Sequence, residues 1–426
     1  MGEPETFTRT MRHDPRMQGF QNRAQVEDVI ALISRKIQRL GTGPVALRDA
    51  ASRVLGEEIR AGAPVPAFDR AAMDGYALRG LETVGATAQS PALFRCVGEA
   101  RPGLLSNLTV GPGETIQITT GSAIPKGADT VVRVESTQRT GQTIRVFEAA
   151  ATGRHVGKIG EDIEAGTLVL SAGRVLRPQD LGVLSAVGAG SVNVVHRPQV
   201  AVIITGDELV RAGNRPSDYQ IADMNSDMLS ALIVRDGGVP RVVGPLPDDR
   251  DRIRAEIVEA STWANIVLVS GGTSVGPEDH IPGIVAELGE LAVHGVALRP
   301  AGPTGLGFIG QAAVVLLPGN PVSCFCAYDF FAGPIIRLQG GRPRNWPYRS
   351  RSLPLAHPLD SLAGRVDYVR VKVDQERVEP LATSGASILS STTRADGFVV
   401  IPANLAGYPS DALVTVWLYD LFPPSD

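Results

Sequence analysis

The spacing of apolar residues divides the chain into helical and β-like stretches. Near the start, apolar side chains recur every three or four residues, which predicts a helix over 25–40; these are Val26, Val29, Ile30, Ile33 and Ile37. Further helices are predicted over 47–55 and 178–187. Between residues 83 and 149, short β-like runs alternate with many glycines, which predicts a small β-rich domain.

The clearest pattern covers residues 197–341, where buried-type strands alternate with amphipathic helices. Such alternation implies an open, mostly parallel α/β sheet, whose ligands bind at the carboxyl ends of the strands. The predicted elements are, in order, a strand over 200–204, a helix from Asn225, a strand at 242–243, a helix from Asp248 or Asp249, a strand over 266–269, a helix over 281–288, two further strands and a long apolar helix.

Beyond Pro343 the pattern changes to short alternating strands, over 368–373, 398–401 and 413–418, which predict a small β-barrel or sandwich. We therefore expect a multidomain α/β plus β protein, in which the helices at 23–60 and 151–195 flank an inserted domain. The predicted boundaries are 1–22 for a flexible tail, 23–60 and 151–195 for a helical/β domain, 61–150 for the inserted β-rich domain, 196–342 for the α/β domain and 343–426 for the C-terminal β domain.

Composition and charge argue against several classes of protein: nucleic-acid-binding, disulfide-rich, zinc-binding and membrane proteins. The 426-residue chain has a net charge of −4 and no long basic run, so it lacks the electrostatic footprint of a nucleic-acid-binding protein. Its three cysteines, Cys96, Cys324 and Cys326, form neither a disulfide framework nor a spaced zinc set. The N-terminus has no apolar signal core, and no apolar run reaches membrane-spanning length. We expect a cytoplasmic protein with no nucleic-acid or membrane partner.

Three glycine-containing turns follow predicted strands of the α/β domain. They are Thr205–Glu208, Ser270–Gly276 (SGGTSVG) and Leu317–Ser323 (LPGNPVS). Glycine lets the backbone approach a ligand closely, and amide N–H groups at a following helix start can face negative charge. The turns therefore indicate a site for an anionic ligand, although each could also be a tight connection between a strand and a helix.

Carboxylates gather at the same predicted end of the sheet. Asp207 and Glu208 end the first strand, Asp248 and Asp249 follow another, and Asp279 follows the SGGTSVG turn. Beside phosphate-binding loops, such carboxylates suit a hard divalent cation that bridges phosphate oxygens. The alternative is helix N-capping, which we expect of Asp248 in any case.

A second acidic segment lies in the predicted inserted domain. The run Pro66–Ala77 (PAFDRAAMDGYA) places Asp69 and Asp74 in an apolar, turn-rich context. Sequence chemistry leaves two interpretations open: a functional acid, or two residues that cap their own turns.

Two further motifs have competing interpretations. Gly305–Gly310 (GLGFIG) matches the dinucleotide-binding fingerprint, but a strand follows it where a helix should, so we predict a hairpin. Gly272–Gly276 matches the nucleophile elbow G-x-S-x-G, with Ser274 as nucleophile. The candidate histidines that could activate Ser274 are His280, His294 and His357, which lie further along the chain. In a nucleophile elbow a helix begins directly after the motif, but here Gly276-Pro277 follows. Serine hydrolase therefore stays an alternative function.

Taken together, these motifs resemble the molybdopterin molybdenumtransferase family, whose eukaryotic member is the gephyrin E-domain. The resemblance covers the chain from about Arg23 onward and includes FDRAAMDGYA, TTGSAIPKGAD, GEDI, TGDEL, SGGTSVGPED and LPGNPVS. It implies an elongated four-domain subunit, usually a homodimer, with a molybdopterin-binding α/β domain. It also implies a reaction that inserts molybdenum from molybdate into adenylylated molybdopterin, uses a divalent cation, usually Mg²⁺, and releases AMP.

The resemblance also assigns roles to residues. Catalytic roles fall to Asp74, Glu208 and Asp279, with Glu208 and Asp279 near the metal and Asp74 entering the cleft of a partner subunit. The pterin phosphate and nucleotide would bind to Thr205, Gly206, Asp207, Ser270, Gly271, Gly272, Ser274, Gly276, Pro318, Gly319 and Asn320. Molybdate would face Ser323, Arg299 and Arg370. A molybdopterin adenylyltransferase or molybdoenzymes are the implied protein partners.

One segment departs from the family pattern. The family usually has Lys-Pro-Gly-Lys-Pro where this chain has Arg299-Pro300-Ala301-Gly302-Pro303, so one positive charge is missing at Gly302. This departure keeps a second functional hypothesis open: a paralogue that binds molybdopterin or its nucleotide as a carrier or scaffold, without inserting metal.

Overall fold

The computed structural model describes residues 23–104, 107–274, 279–382 and 385–419, and the predicted tail at 1–22 lies outside them. The chain divides into two compact units: Pro44–Val194 forms one, and Met1–Gly43 with Val195–Asp426 forms the other. The described helices are α1 (Val26–Lys36), α2 (Pro178–Ala186), α3 (Asn225–Arg235), α4 (Arg250–Trp263), α5 (Ile281–Leu288), α6 (Pro321–Ala327), α7 (Gly333–Gln339) and α8 (Ser390–Thr393). Within the described ranges, no helix is long and apolar enough to cross a membrane.

The Pro44–Val194 unit is built around a six-stranded sheet. The strands of this part of the chain are β1 (Thr42–Ala46), β2 (Ile59–Arg60), β3 (Arg70–Ala71), β4 (Gly75–Leu78), β5 (Ala92–Ala100), β6 (Glu114–Ile118), β7 (Thr130–Arg133), β8 (Thr137–Thr140), β9 (Thr143–Val146), β10 (Val156–Gly157), β11 (Leu168–Leu170) and β12 (Ser191–Val195). The sheet order is β7-β4-β6-β5-β9-β8, and only the β5–β6 pair is parallel. The β-rich region predicted over 83–149 is thereby confirmed.

The helix predicted over 47–55 is wrong. Only Leu47–Asp49 forms a short 3₁₀ turn, whereas Val54 and Leu55 form β-bridges to Val175 and Val194. The Leu55 N–H donates to the Arg174 carbonyl at 2.8 Å. Pairing with distant segments satisfies these backbone groups and overrides the local helical pattern.

The other unit contains an α/β sheet and a β-barrel. Its strands are β13 (Gln199–Thr205), β14 (Leu209–Val210), β15 (Ile221–Ala222), β16 (Val239–Leu246), β17 (Ile266–Ser270), β18 (Glu290–His294), β19 (Leu298–Arg299), β20 (Gly305–Ile309), β21 (Ala312–Leu317), β22 (Arg349–Pro354), β23 (Leu359–Asp360), β24 (Val366–Asp374), β25 (Arg377–Ala382), β26 (Gly397–Ile401), β27 (Gly407–Tyr408) and β28 (Leu413–Leu418).

The α/β sheet confirms the predicted fold class. Its order is β16-β13-β17-β21-β20-β18; the first four strands are parallel and the last two antiparallel. Side chains alternate along the buried strands, so β13 presents Val200 and Val202 to one face and Ala201 and Ile203 to the other. Helices α1, α3, α6 and α7 cover the first face, and α4 and α5 cover the second.

Two local predictions in this sheet have different outcomes. The hairpin prediction for Gly305–Gly310 is confirmed, because β20 and β21 pair antiparallel around Gly310. The prediction of two strands after α5 missed β18, whose residues are only partly buried at the sheet edge. The long apolar helix is present as α6 and α7, joined by a π-helical turn over Tyr328–Ala332.

The C-terminal strands close into a small barrel. The pairs β25–β24, β24–β26, β26–β28 and β28–β22 form a curved sheet, and a bridge between Leu355 and Val378 joins its two ends. Apolar side chains from these strands fill the interior, among them Val371, Val399 and Val416. Of the two architectures predicted here, the structure has the barrel.

Candidate active site

The three predicted turns meet at the carboxyl ends of β13, β17 and β21, around a cavity of about 400 Å³. Its polar and glycine-rich lining includes eleven of the predicted site residues: Thr205, Gly206, Glu208, Ser270, Gly271, Gly272, Ser274, Asp279, Pro318, Gly319 and Asn320. Gly276 lies outside the described residues. A concave, polar site at this end of a parallel sheet is where ligands of such folds bind.

Two glycines set the shape of the cavity. Gly271 has φ +105°, and a Cβ atom there would lie 2.3 Å from the Thr205 carbonyl oxygen. Gly206 has φ +151°, and a Cβ atom there would lie 2.7 Å from Oε2 of Glu208. The absent side chains therefore let the first two turns touch and let the Glu208 carboxylate fold over its own turn.

We expect Gly271→Ala to lower the free energy of unfolding by about 3 kcal/mol, because overpacking and a strained φ each cost about 1–3 kcal/mol. Gly319→Ala is the matched control, since its Cβ would make only ordinary contacts, with the Gly271 Cα and N atoms at 3.6 and 4.0 Å. Chemical denaturation of both variants checks this. Equal stability of the two would show that the close approach of the turns is not needed.

Two buried polar atoms of the cavity lining have no hydrogen-bond partner within the described residues. Thr205, Asn225 and Ser270 are all buried. Asn225 Nδ2 donates to Ser270 Oγ at 2.9 Å and to the Gly319 carbonyl at 2.8 Å. Within the described residues, Asn225 Oδ1 and Thr205 Oγ1 have no hydrogen-bond partner. Buried polar atoms are rarely left unsatisfied, so these two indicate contacts with a ligand.

Asp223 and Asn225 were not predicted as site residues. The Asp223 carboxylate accepts hydrogen bonds from the N–H groups of Asn225 and Ser226 at 2.9 and 3.1 Å, and from the Ser226 hydroxyl. It therefore satisfies two backbone N–H groups at the start of α3 and holds Asn225 at the cavity. Asp and Asn are typical of helix starts, so the segment Asp223-Met-Asn-Ser predicted where α3 begins but not that its side chains reach the cavity.

The acidic residues divide into two groups. Glu208, Asp248 and Asp279 line the cavity. Asp207 does not, and instead accepts a hydrogen bond from the Asp248 N–H at 3.1 Å. The predicted capping role of Asp248 is wrong, because Asp249 caps α4 through the Arg252 N–H at 2.7 Å; a cap must be the residue just before the first turn.

The described part of the chain contains no group of three or more His, Cys, Asp or Glu residues that could hold a metal ion alone. Mg²⁺ usually binds one or two carboxylates together with substrate phosphates and water. Glu208 and Asp279, which face the same cavity, fit that mode of binding.

The residues predicted to face molybdate lie outside the cavity lining. The Arg299 guanidinium donates to Asp367, which also accepts from Arg365 Nε at 3.0 Å and Ser361 Oγ at 2.7 Å. Arg370 is 1% exposed, and burial lowers the pKa of its guanidinium. Ser323 is 4% exposed, within α6. None of the three predicted residues is part of the cavity lining described above.

The segment that departs from the family pattern forms a tight turn. Ala301 has φ +100° and is buried, and its carbonyl accepts hydrogen bonds from the Thr304 N–H and hydroxyl at 3.1 and 2.7 Å. A glycine would adopt this φ without strain. Pro303, at the end of the turn, lines the cavity.

The acidic segment of the other unit is built as a set of capped turns. Asp74 accepts hydrogen bonds from the Thr120 N–H at 2.6 Å and hydroxyl at 2.7 Å, which lower the pKa of its carboxyl group. Asp69 accepts from the Ile159 N–H and from Lys158 Nζ, both at 2.9 Å, and its pKa is lowered as well. The carboxylates thus bind turns of distant segments, at Thr120 and at Lys158-Ile159, and do not cap their own turns; Asp74 is exposed.

The geometry near Ser274 gives little support to a serine hydrolase. His294 is the histidine that contacts this turn, and its Nε2 lies 3.0 Å from the Thr273 carbonyl oxygen. A carbonyl only accepts, so Nε2 carries the hydrogen and is not available to take a proton from Ser274. Desolvation lowers the pKa of this histidine.

Comparisons with known proteins agree along the chain. Residues 24–188 match the MoeA N-terminal region (domain I and II), residues 201–338 match the probable molybdopterin binding domain, and residues 352–419 match the MoeA C-terminal region (domain IV). The chain is 33% identical to a putative molybdopterin biosynthesis protein of Methanocaldococcus jannaschii, over 88% of this chain and 91% of that protein. It is 31% identical to the molybdopterin molybdenumtransferase of Bacillus subtilis, over 88% and 89%.

A solved structure is similar over the same extent. The molybdopterin biosynthesis moeA protein from Pyrococcus horikosii has a TM-score of 0.81 and 31% identity, covering 94% of this chain and 100% of that one. The likeness therefore extends over both compact units of the chain.

Proposed function

Because the chain belongs to the molybdopterin molybdenumtransferase family and is a transferase of molybdenum cofactor biosynthesis, we propose that it inserts molybdenum from molybdate into adenylylated molybdopterin and releases AMP. The observation that carries this proposal is the cavity at the ends of β13, β17 and β21, where unsatisfied polar atoms and carboxylates face one space.

In this proposal the turns hold the substrate by its phosphates. The turns Thr205–Glu208 and Ser270–Ser274 would border the phosphates, with the Gly206 and Gly271 N–H groups themselves donating to the Leu246 and Leu317 carbonyls. Thr205 Oγ1 and Asn225 Oδ1 complete the contacts, the first as donor or acceptor and the second as acceptor for a substrate N–H. Positioning of this kind supplies a large part of the rate, because the reacting groups are brought together in advance.

Glu208 and Asp279 would hold Mg²⁺ with the phosphate oxygens of the substrate as further ligands. The ion would neutralise charge on the phosphoanhydride while water splits that bond and AMP leaves. One molybdate oxygen would leave as water, taking up the protons of the two dithiolene thiols as their sulfurs bind molybdenum. Asp248, on the same cavity, would orient the attacking water.

Three further assignments belong to the same proposal. The protein would act as a homodimer in the cytoplasm, with Asp74 entering the cleft of the partner subunit. Ser323, Arg299 and Arg370 would bind molybdate. The proposal also keeps the domain boundaries predicted from the sequence. The protein would exchange its substrate with a molybdopterin adenylyltransferase or with molybdoenzymes.

The test is AMP release by the purified protein supplied with adenylylated molybdopterin, Mg²⁺ and molybdate. We expect release that depends on molybdate. Tight binding of the nucleotide substrate without release would contradict the transferase reaction and favour a carrier or scaffold. Labelling of Ser274 by a fluorophosphonate probe would instead favour a serine hydrolase.

A further inference from the structure

Three segments that are far apart in the sequence meet on the surface of the compact unit that contains the α/β sheet. They are 34–41, from the end of α1 onward; 196–198, before β13; and 339–344, from the end of α7 onward. The Leu40 N–H donates to the Gln339 carbonyl at 2.9 Å, and a Cβ atom built on Gly340 would lie 3.5 Å from Pro198 Cδ. The segment 339–344 therefore joins the other two into one surface.

This surface is rich in positive charge, although the sequence has no long basic run. The three segments contain five arginines, one lysine and one histidine, and neither aspartate nor glutamate. Lys36 is paired with Glu290 at 2.9 Å. Among the ion pairs between described residues, none includes the four exposed arginines Arg35, Arg39, Arg197 and Arg344. We call these four residues, together with Arg342, the basic patch.

Two guanidinium groups of the basic patch are held in place by their neighbours. Arg344 Nη1 donates to Ser34 Oγ at 2.8 Å, and Arg342 Nη1 donates to the Arg235 carbonyl at 3.0 Å. Arg342 also packs over Gly237, where a Cβ atom would lie 2.9 Å from its Cζ atom. Because these side chains are already ordered, they lose little conformational entropy when a partner binds.

The charges of the basic patch are close enough to affect one another. Burial lowers the pKa of Arg342, and the positive charges of Arg197 and Arg337 lower it further, against the opposite effect of Asp236. Asp236 is itself 0% exposed and cannot neutralise the outer arginines. Like charges that repel one another in this way are stabilised by an anionic partner.

The basic patch lies at the opposite end of the parallel strands from the cavity. Arg197 comes just before β13, whose last residue, Thr205, lines the cavity. A strand of this length spans about 20 Å. A partner could therefore occupy the basic patch and leave the cavity open.

The balance of charge favours a short acidic segment over a long polyanion. The whole chain has a net charge of −4, so a nucleic acid that extended beyond the basic patch would meet a protein of its own sign. A short segment would contact the arginines alone. Arginine also binds carboxylates through two parallel hydrogen bonds and is enriched in protein–protein interfaces.

We propose that the basic patch is a docking surface for an acidic segment of a protein partner, whose carboxylates bind the exposed guanidinium groups of Arg39, Arg197 and Arg344. This inference goes beyond the proposed function, because it concerns a surface away from the cavity. It is tested by binding alone, so its outcome does not depend on whether the protein releases AMP.

The experiment measures binding of a short, fluorescently labelled polyglutamate peptide to the full-length protein by anisotropy. We expect binding that weakens as salt is added, because exposed charges are screened. Arg39→Gln/Arg197→Gln should weaken binding by about fivefold or more, since it removes two charge-assisted contacts. Arg254→Gln/Arg394→Gln is the matched control, because it removes the same charge from exposed positions outside the basic patch and should bind like the unaltered protein.

A second variant separates charge from folding. Arg39→Lys/Arg197→Lys keeps both charges and should keep most of the affinity, and it replaces the glutamine variant in the comparison with the control if that variant has a lower melting temperature. Equal weakening by the glutamine variant and its control, or no salt-dependent binding by the unaltered protein, would overturn the proposal. So would tighter binding of a DNA duplex or of phosphatidylserine vesicles than of polyglutamate, because the basic patch would then serve a nucleic acid or a membrane.

Discussion

Replacing Glu208 with glutamine, or Asp279 with asparagine, is expected to lower molybdate-dependent AMP release by about 10²–10³-fold, the loss typical of removing one electrostatic stabiliser of a transition state. Both carboxylates face the cavity at the ends of the parallel strands. Each amide keeps the size of the side chain and removes the negative charge that a cation needs. AMP release by purified variants, measured over a range of Mg²⁺ concentrations, checks the expectation.

Asp207 and Asp251 provide the controls for charge. Asp207 is adjacent to Glu208 in the chain, but its carboxylate accepts a hydrogen bond from the Asp248 N–H and does not line the cavity. The Asp251 side chain is 95% exposed on α4. We expect Asp251→Asn to have unchanged activity and Asp207→Asn to lose less than about tenfold.

The dependence on Mg²⁺ separates a metal ligand from a residue that contacts substrate. Loss of a ligand should raise the Mg²⁺ concentration needed for half-maximal rate, whereas loss of a substrate contact should leave it unchanged. Full activity in both Glu208→Gln and Asp279→Asn, with melting temperatures equal to that of the unaltered protein, would rule out the cavity as the catalytic centre.

Elements were predicted best where the spacing of apolar residues along the chain matches the face of the element that is buried. The bounds of α5 agree with the predicted 281–288, because its apolar residues pack on the second face of the α/β sheet. The strand predicted over 413–418 is β28 with the same bounds, because side chains alternate between the barrel interior and its outside.

Prediction failed where distant partners decide the conformation. Val54 and Leu55 fit a helical pattern, but their backbone groups pair with segments more than a hundred residues away. β18 has a weak pattern because it is an edge strand, and its existence depends on pairing with β20. Local propensity carries no information on such pairings.

The candidate site shows the same limit. Thr205, Ser270 and Gly319 could be predicted as site residues because each lies in a glycine-containing turn directly after a strand, a pattern that neighbouring residues alone reveal. Asn225 was predicted only as the start of a helix. The structure shows that its Nδ2 binds Ser270 and Gly319, which leaves its Oδ1 without a partner among the described residues.

The largest expected effect on stability comes from a buried network of charges away from the cavity lining. Asp236 and Asp329 are both 0% exposed. Asp236 lies 3.0 Å from Arg235 Nη2 and 2.9 Å from Arg337 Nη1, and accepts a hydrogen bond from the Tyr328 hydroxyl at 3.0 Å. Asp329 binds Arg235 Nη2 at 3.1 Å and the Tyr348 hydroxyl at 2.9 Å. Burial raises the pKa of Asp329 to about 6 despite the nearby arginine.

Asp236→Asn is expected to lower the free energy of unfolding by about 3–5 kcal/mol, the cost of breaking a buried ion pair by removing one partner. The reason is that Arg337, which is 3% exposed, would keep its charge next to a neutral amide and have no water to replace the carboxylate. Gly333 adds to the constraint, because a Cβ atom there would lie 2.8 Å from both Arg337 Nη1 and Asp236 Oδ2, so little space remains for rearrangement.

Asp227→Asn is the matched control, since Asp227 is an exposed residue of α3, the helix that ends just before Asp236. Its loss should cost less than about 1 kcal/mol, the size of one favourable charge at a helix start. Denaturant unfolding of both variants at pH 7 measures the difference between them. If Asp236→Asn proves no less stable than Asp227→Asn, the positive charges of this network must be balanced without Asp236, and the packing of α3 against α7 must depend on apolar contacts alone.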